Sequence, residues 1–279
     1  MPGINLTGKA NTQDYNIGRG SIYLSDLDST GRPVAYRFVG NCPEFRITMS
    51  TETQKHFSSI EGLKQKDAEV VITEEMDLQF TFDEINFDNL AEQLSGETAT
   101  KSNAAAASAI TGVNNVNVTA KARWYDLYAS ASGAPATDTS GDRIYDIGVV
   151  TITGKVEGTD FEVDRKMGRI FIPQASTIVI GTISVLIAAN GTAAATVDEV
   201  KVMTKTAVLR ALKFVQLNAA YQSQKTEYQF HQARLRPTGD LSLIGDEFTA
   251  GQIQGSAERN VTADPDSPVC TIRTYAGAV

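Results

Sequence analysis

The segment Asp26-Leu27-Asp28-Ser29-Thr30-Gly31 places oxygens at alternate positions and a glycine at the sixth. That is how a calcium loop opens, because Ca²⁺ needs several hard oxygen ligands on a sharply bent chain. The twelfth position should be Glu, yet Arg37 stands there and no helical pattern flanks the segment, so a hairpin turn is expected. Gly18-Arg19-Gly20 lacks the third glycine and the strand-to-helix setting of a phosphate cradle and reads as a bend. Nucleophilic catalysis needs a base beside a Ser or Cys, but His56 and His231 are the only histidines and no Gly-x-Ser-x-Gly turn marks a nucleophile. His56 falls in a polar stretch, and His231, near Phe230 and Arg234, reads as a surface or interface residue. Glu74-Glu75 or Asp83-Glu84 could serve a glycosidase, which needs acids on opposite sides of a bond. Adjacent acids point instead to a solvated edge. No enzyme activity, cofactor or metal site is expected, and two cysteines with two histidines exclude a zinc cluster. Cys42 and Cys270 could pair if their strands are neighbours, or stay free as small apolar residues.

These residues need a scaffold, and 279 residues with 42% hydrophobic content can bury a substantial core. The net charge of −8 argues against a protein that grips nucleic acid over a broad basic face. Met1-Pro2-Gly3-Ile4-Asn5-Leu6-Thr7-Gly8 has neither the basic start nor the apolar run of a secretory signal, so synthesis in the cytoplasm is expected. The longest apolar tract, residues 178–189, is too short to cross a bilayer, and no membrane insertion is expected. Asn-x-Ser/Thr matches then carry no meaning for glycosylation.

Apolar residues recur at every second position in segment after segment, with Gly, Asn, Asp and Pro between them, so the chain reads as mainly β. Residues 21–24 and 34–39 flank the Asp26 turn as a hairpin. Residues 44–49 and 68–82 alternate as strands, with a polar, unperiodic stretch from Ser50 to Asp67 that reads as a long loop. Phe87, Leu90, Ala91 and Leu94 fall at helical spacing, with Asn86 to cap the start and Gly96 to end it, so one helix should lie on the sheet. Residues 99–115, rich in Ala, Ser, Thr and Asn, read as a linker, and 116–205 as a separable β-rich block with a clear hairpin from Phe161 to Ile172. Strands return over 209–217, 226–235, 241–244, 252–258 and 269–275.

Charge is uneven. Residues 61–100 hold 11 acidic against 2 basic side chains, whereas Lys225, His231, Arg234 and Arg236 cluster near Pro237. Two such regions would suit self-association through complementary faces, or would simply be solvated surfaces.

The order Gly20-Ser21-Ile22-Tyr23-Leu24, Phe38-Val39-Gly40-Asn41-Cys42-Pro43-Glu44-Phe45, a long polar loop, an acidic strand with a helix, and a late Gly245-Asp246-Glu247-Phe248-Thr249 resembles the major tail tube proteins of long-tailed bacteriophages. The likeness covers about the first 98 and the last 70 residues. The middle block, with Gly158-Thr159-Asp160-Phe161-Glu162-Val163-Asp164 and Gly168-Arg169-Ile170, is similar to the β-domain inserted in some members.

The resemblance implies a β-sandwich or half-barrel core with one packed helix, built from residues 1–98 and 206–279, and an inserted domain on the tube exterior. It implies hexameric rings stacked into the tail tube of a virion, a channel for DNA ejection. The partners would be further copies of the chain, a tape measure protein and phage DNA in the lumen, and tail terminator and tail-tip proteins at the ends. An acidic wall would let DNA slide, and Glu74, Glu75 and Asp77 are the candidate lumen acids. Thr53, Gln54, Lys55, His56, Phe57, Ser58, Ser59, Ile60, Glu61 and Gly62 form the candidate ring-stacking loop. Lys225, His231, Arg234 and Arg236 form the candidate inter-subunit basic patch. Two other classes fit the same pattern: another tube or terminator component, and a cell-surface β-sandwich that binds carbohydrate, against which stand the missing export signal and the single Trp124.

Overall fold

The computed structural model describes residues 18–58, 62, 64–102, 112–128, 143–189, 196–206, 208–218, 225–246 and 248–275. The chain is mainly β and divides into two compact units, Met1–Thr98 with Val200–Val279, and Ala99–Glu199. The first unit is one eight-stranded sheet. Its strands are β1 (Gly18–Leu27), β2 (Pro33–Phe38), β3 (Glu44–Ser58), β4 (Gln65–Phe82), β13 (Val208–Asn218), β14 (Lys225–Thr238), β15 (Gly251–Ala257) and β16 (Cys270–Tyr275). The order is β2-β1-β13-β14-β15-β4-β3, and β16 joins the first half of β14 while β15 joins its second half. All these pairings are antiparallel.

One face of this sheet is apolar at alternate positions, and a sheet with one such face must bury it. It does so by curling on itself. Phe45 in β3, at one end of the order, lies 4.9 Å from Phe214 in β13 and 6.3 Å from Phe230 in β14, ring centre to ring centre. Leu78, Phe80 and Phe82 from β4 meet Ile22 and Leu24 from β1, Leu212 from β13 and Ile253 from β15 in one buried cluster. Enclosing each of Phe80, Phe82 and Phe230 contributes about 2–3 kcal/mol.

The single helix of the described residues, α1 (Phe87–Gln93), starts where the Asn86 side chain accepts from the Asn89 amide. It ends in a reverse turn, with the Gly96 amide donating to Ala91 and Ser95 in the left-handed region at φ 49°. Gly96 is needed for closeness, since a Cβ there would stand 2.7 Å from the Lys201 carbonyl oxygen. The helix packs on β14 and β15, with Ala91 of the predicted face buried, Leu90 and Leu94 half-buried, and two polar residues buried beside them. Phe87 is half exposed, and Asn89, Ala91 and Gln93 are the buried residues. Polar bonding overrides periodicity here. The Asn89 amide group donates to the Val39 and Glu84 carbonyls, while its oxygen accepts from Arg37 at 2.6 Å. Beside it Glu92 meets Arg210 at 2.7 Å, and Arg210 also pairs with Asp26. Burial pushes the Glu92 carboxyl up and the Arg210 guanidinium down from their ordinary values.

The second unit is a small sandwich of two three-stranded sheets. One is β7 (Arg123–Asp126), β10 (Arg169–Ile172) and β9 (Glu162–Asp164). The other is β6 (Gly112–Val118), β11 (Gly181–Ala189) and β8 (Ile147–Ile152). Ile170 and Ile172 from the first and Val118, Ile147, Val185 and Ile187 from the second share one core with Phe161. The Phe161 to Ile172 hairpin forms as its alternation predicts, turning at Gly168 with φ 62°. β5 (Glu97–Ser102) and β12 (Thr196–Lys201) pair with each other where the chain passes between the units.

Three expectations need correction. The stretch Ser50 to Asp67 is not a loop. β3 continues to Ser58 and β4 begins at Gln65, so it is a long hairpin whose polar cross-strand pairs give no alternating signal. The range 99–115 is not simply a linker, because β5 ends and β6 begins within it; residues 103–111 lie outside the described residues. Residues 241–244 form no strand.

Gly168 is the position at which the second unit is most exposed to a single change, because a Cβ there would stand 1.8 Å from the Ile144 carbonyl oxygen. We expect Gly168→Ala to destabilise that unit by at least about 2 kcal/mol. Hydrogen exchange should show lost protection in β7, β9 and β10 with that of β13 and β14 retained.

Candidate assembly surface

Two features of the first unit point outward, a polar sheet face and a hairpin arm. β15 pairs with β4 from Asp77 to Phe82, so beyond Met49↔Met76 the strands β3 and β4 have only each other among the described residues. Nine paired residues, Ser50 to Ser58, make a ribbon of about 30 Å. Register shifts between Glu52 and Thr53 and between His56 and Phe57 bend and twist it. Its apolar side chains have no core: Met49 is 71% exposed, Val70 62% and Ile72 59%, with Phe57 and Val71 about half exposed. A lone two-stranded ribbon is marginally stable in water, and among the described residues these side chains have no apolar cover.

Thr53, Gln54, Lys55, His56, Phe57 and Ser58 are therefore strand residues of the arm rather than members of a loop. Gly62 takes the left-handed conformation at φ 74° beyond its described end, and Ser59, Ile60 and Glu61 lie outside the described residues. His56 Nδ1 is 2.6 Å from the Asp67 carboxylate across the ribbon, and Lys66 pairs with Glu69.

The other feature follows from the pleat. Leu78, Phe80 and Phe82 face the core, so Asp77, Gln79 and Thr81 face the other way. Cross-strand partners share a face, and each neighbour of these residues is polar. On β3 they are Thr48, Arg46 and Glu44; on β15 they are Ser256, Gln254 and Gln252; and beyond β15 stand Arg234, Arg236 and Thr238 of β14. The result is an unbroken hydrophilic sheet face backed by an apolar core.

This pattern divides the three candidate acids. Glu75 and Asp77 stand on the polar face, whereas Glu74 stands on the opposite side, in line with Met76 and Leu78. The candidate basic patch divides as well. Lys225 and Arg236 are exposed, but Arg234 makes a two-point contact with Glu258, 2.5 Å at its shortest, which lowers that carboxyl and raises the guanidinium. Arg234 and Asp77 are both cross-strand partners of Ser256 on one face. At this point of the sheet an acidic and a basic group thus share one face.

His231 is not part of any exposed patch. β14 carries an extra residue opposite Ala211, and this bulge turns His231 inward until it is only 3% exposed. Its amide donates to the Val269 carbonyl, Nε2 lies 3.1 Å from the Thr271 hydroxyl, and the Asp264 carboxylate is 3.8 Å away. Burial lowers its pKa, partly offset by Asp264, which is itself held low by amide hydrogen bonds from Ser267 and Asp266. A single inserted residue leaves no trace in a composition or spacing count.

The oxygens of the Asp26 to Gly31 segment are committed to the turn: Asp28 accepts from the Thr30 amide and hydroxyl and from the Arg32 amide. Among the described residues, no three His, Cys, Asp or Glu side chains are grouped to hold a metal. Cys42 and Cys270 are free thiols, pushed up to about 12 and about 11 by burial.

The model of a family described as protein of unknown function UCP028589 matches residues 15–269, so the chain belongs to that family. No curated protein matches it.

The pKa of His231 sets an acid sensitivity. With the folded value below the ordinary 6.5, the unfolded chain takes up a proton that the fold refuses. Stability should fall as pH drops below about 6.5, above the range in which depressed carboxylates such as Asp160 and Asp264 protonate. Urea titrations at pH 7.5 and 5.5 should show this loss, and His231→Gln should abolish it; an unchanged difference in the variant would assign the effect to other groups.

Proposed function

We propose that this chain, from a family of unknown function, is a tail tube subunit of a long-tailed phage, self-assembling into stacked hexameric rings that guide DNA into the host. The hairpin arm carries this reading. A ribbon of about 30 Å with its apolar side chains in water is unfavourable for a monomer and suited to a subunit that lays it on a neighbour. The polar sheet face supports a channel wall in this reading: β4 and β15 present Glu75, Asp77, Gln79, Gln252 and Gln254, with Thr48, Arg46 and Glu44 of β3 and Arg234, Arg236 and Thr238 of β14 beside them. Net charge supports sliding, since many copies of a chain at −8 repel phosphate. Among the described residues the outer edges of β2 and β3 are unpaired, and pairing with neighbouring copies would satisfy them. In this reading the second unit decorates the exterior. A tape measure protein and DNA occupy the lumen, terminator and tip proteins close the ends, and the protein resides in the virion tail.

Negative-stain electron microscopy of the purified protein at rising concentration tests this reading. Rings and tubes are the expected result, and a chain that stays monomeric throughout would overturn it.

The wall makes a second, narrower demand. Glu75→Lys with Asp77→Lys should leave tubes intact and slow DNA ejection, most at low salt where screening is weak. Glu74→Lys, on the other side of the strand, should not. Equal ejection rates for all three proteins would show that this face does not touch DNA.

A further inference from the structure

The polar face of the first unit carries three guanidiniums, and cross-strand register fixes where each stands. Arg236 shares a row with Gln254, Gln79 and Arg46, while Arg234 shares the next with Ser256, Asp77 and Thr48. A guanidinium offers two N–H donors side by side, a match for the two oxygens of a phosphate. How open each one is decides whether this face holds a phosphate chain or lets it go.

The three differ. Arg234 Nε donates to Glu258 Oε1 at 2.5 Å and its Nη2 to Oε2 at 3.3 Å, so both carboxylate oxygens fill one edge of the guanidinium. The Gln232 side-chain amide donates to Glu258 Oε2 at 2.9 Å and fixes the carboxylate there. Glu258 follows Ser256 at a spacing of two and so stands on the same face. Arg46 is held more loosely, by a single contact with Glu44 at 2.6 Å, and its side chain stays 66% exposed. Arg236 is exposed and without an ion partner among the described residues.

These pairs do little for stability, since ion pairs in contact with water contribute little. Their effect on the face is large. Three guanidiniums stand against four carboxylates, Glu44, Glu75, Asp77 and Glu258. Without Glu44 and Glu258 the balance would be three against two, and the sign of the face would reverse.

We infer that Glu258 and, more loosely, Glu44 act as internal stand-ins for phosphate, closing Arg234 and Arg46 so that this face meets double-stranded DNA without gripping it. A carboxylate and a phosphate compete for the same fork of donors, and the one already tethered beside it wins. The inference rests on reading the polar face as the channel wall and names the residues that keep that wall from binding.

Glu258→Gln keeps the shape of the side chain and removes its charge. Binding of a short fluorescein-labelled DNA duplex to the full-length protein, followed by anisotropy, reads the result. E258Q should bind about fivefold tighter than wild type at low salt, with a salt dependence steeper by about one, the mark of one added phosphate contact. E258Q with Arg234→Gln should return to the wild-type affinity. Glu162→Gln, which removes an exposed carboxylate from the second unit, should not change it. Glu44→Gln should also tighten binding, through Arg46, and supplies the same readout if E258Q does not fold. Affinity unchanged in both E258Q and E44Q, or a gain in E258Q that survives Arg234→Gln, would overturn the inference. No gain in a protein that forms tubes would remove the masking and leave the tube reading in place. A gain in a protein that forms no tubes would keep the masking and remove the tube reading, and neither gain nor tubes would overturn both.

Discussion

The stacking of Phe45 on Phe214 is the contact on which the architecture of the first unit depends. It joins the last strand of the sheet order to one near its start, so a single antiparallel sheet closes its apolar face against itself and needs no second layer. Without that closure Phe80, Phe82, Leu212 and Phe230 would lie on an open sheet face. With it, the opposite face of β3, β4, β15 and the second half of β14 is released to be polar. The hydrophilic wall and the dry core are two consequences of one pleat.

The curl also fixes where the sheet cannot satisfy itself. β3 and β4 run on past the last residue that β15 can pair, and the surplus becomes the arm. The arm therefore leaves Met49, Val70 and Ile72 exposed among the described residues, and the proposal of self-assembly rests on that surface. Helix α1 contributes by bonding: Asn89 ties the carbonyls of Val39 and Glu84 together, and Glu92 anchors Arg210 from β13. A buried, half-satisfied network of this kind would be costly, so the completeness of the Asn89 bonds helps to lock the helix in one orientation.

Much of the strand layout was legible in the sequence alone. Alternation placed β1 with β2, β9 with β10, and the strands of the last block, because a half-buried strand writes its pleat directly into residue type. The Asn86 cap and the calcium-like turn that lacks its twelfth ligand were readable for the same local reason. The β3 side of the arm, Ser50 to Ser58, was not readable as strand, since no period of two survives in its polar residues, whereas alternation did place 68–75 of β4 in a strand. The helix face was not readable either, because Asn89 and Gln93 are buried by hydrogen bonds formed with distant segments.

The sequence by itself determined a mainly β chain with its acids concentrated in one stretch. Tertiary structure alone decided which side of the sheet each charge occupies. Glu74 parts from Glu75 because neighbours on a strand point to opposite faces, and Arg234 comes to share a face with Asp77 through the register of β14, β15 and β4. His231 is drawn inward by one extra residue opposite Ala211. Charge counts add along the chain, but a surface is assembled across strands, and register is set by long-range pairing that no local pattern records.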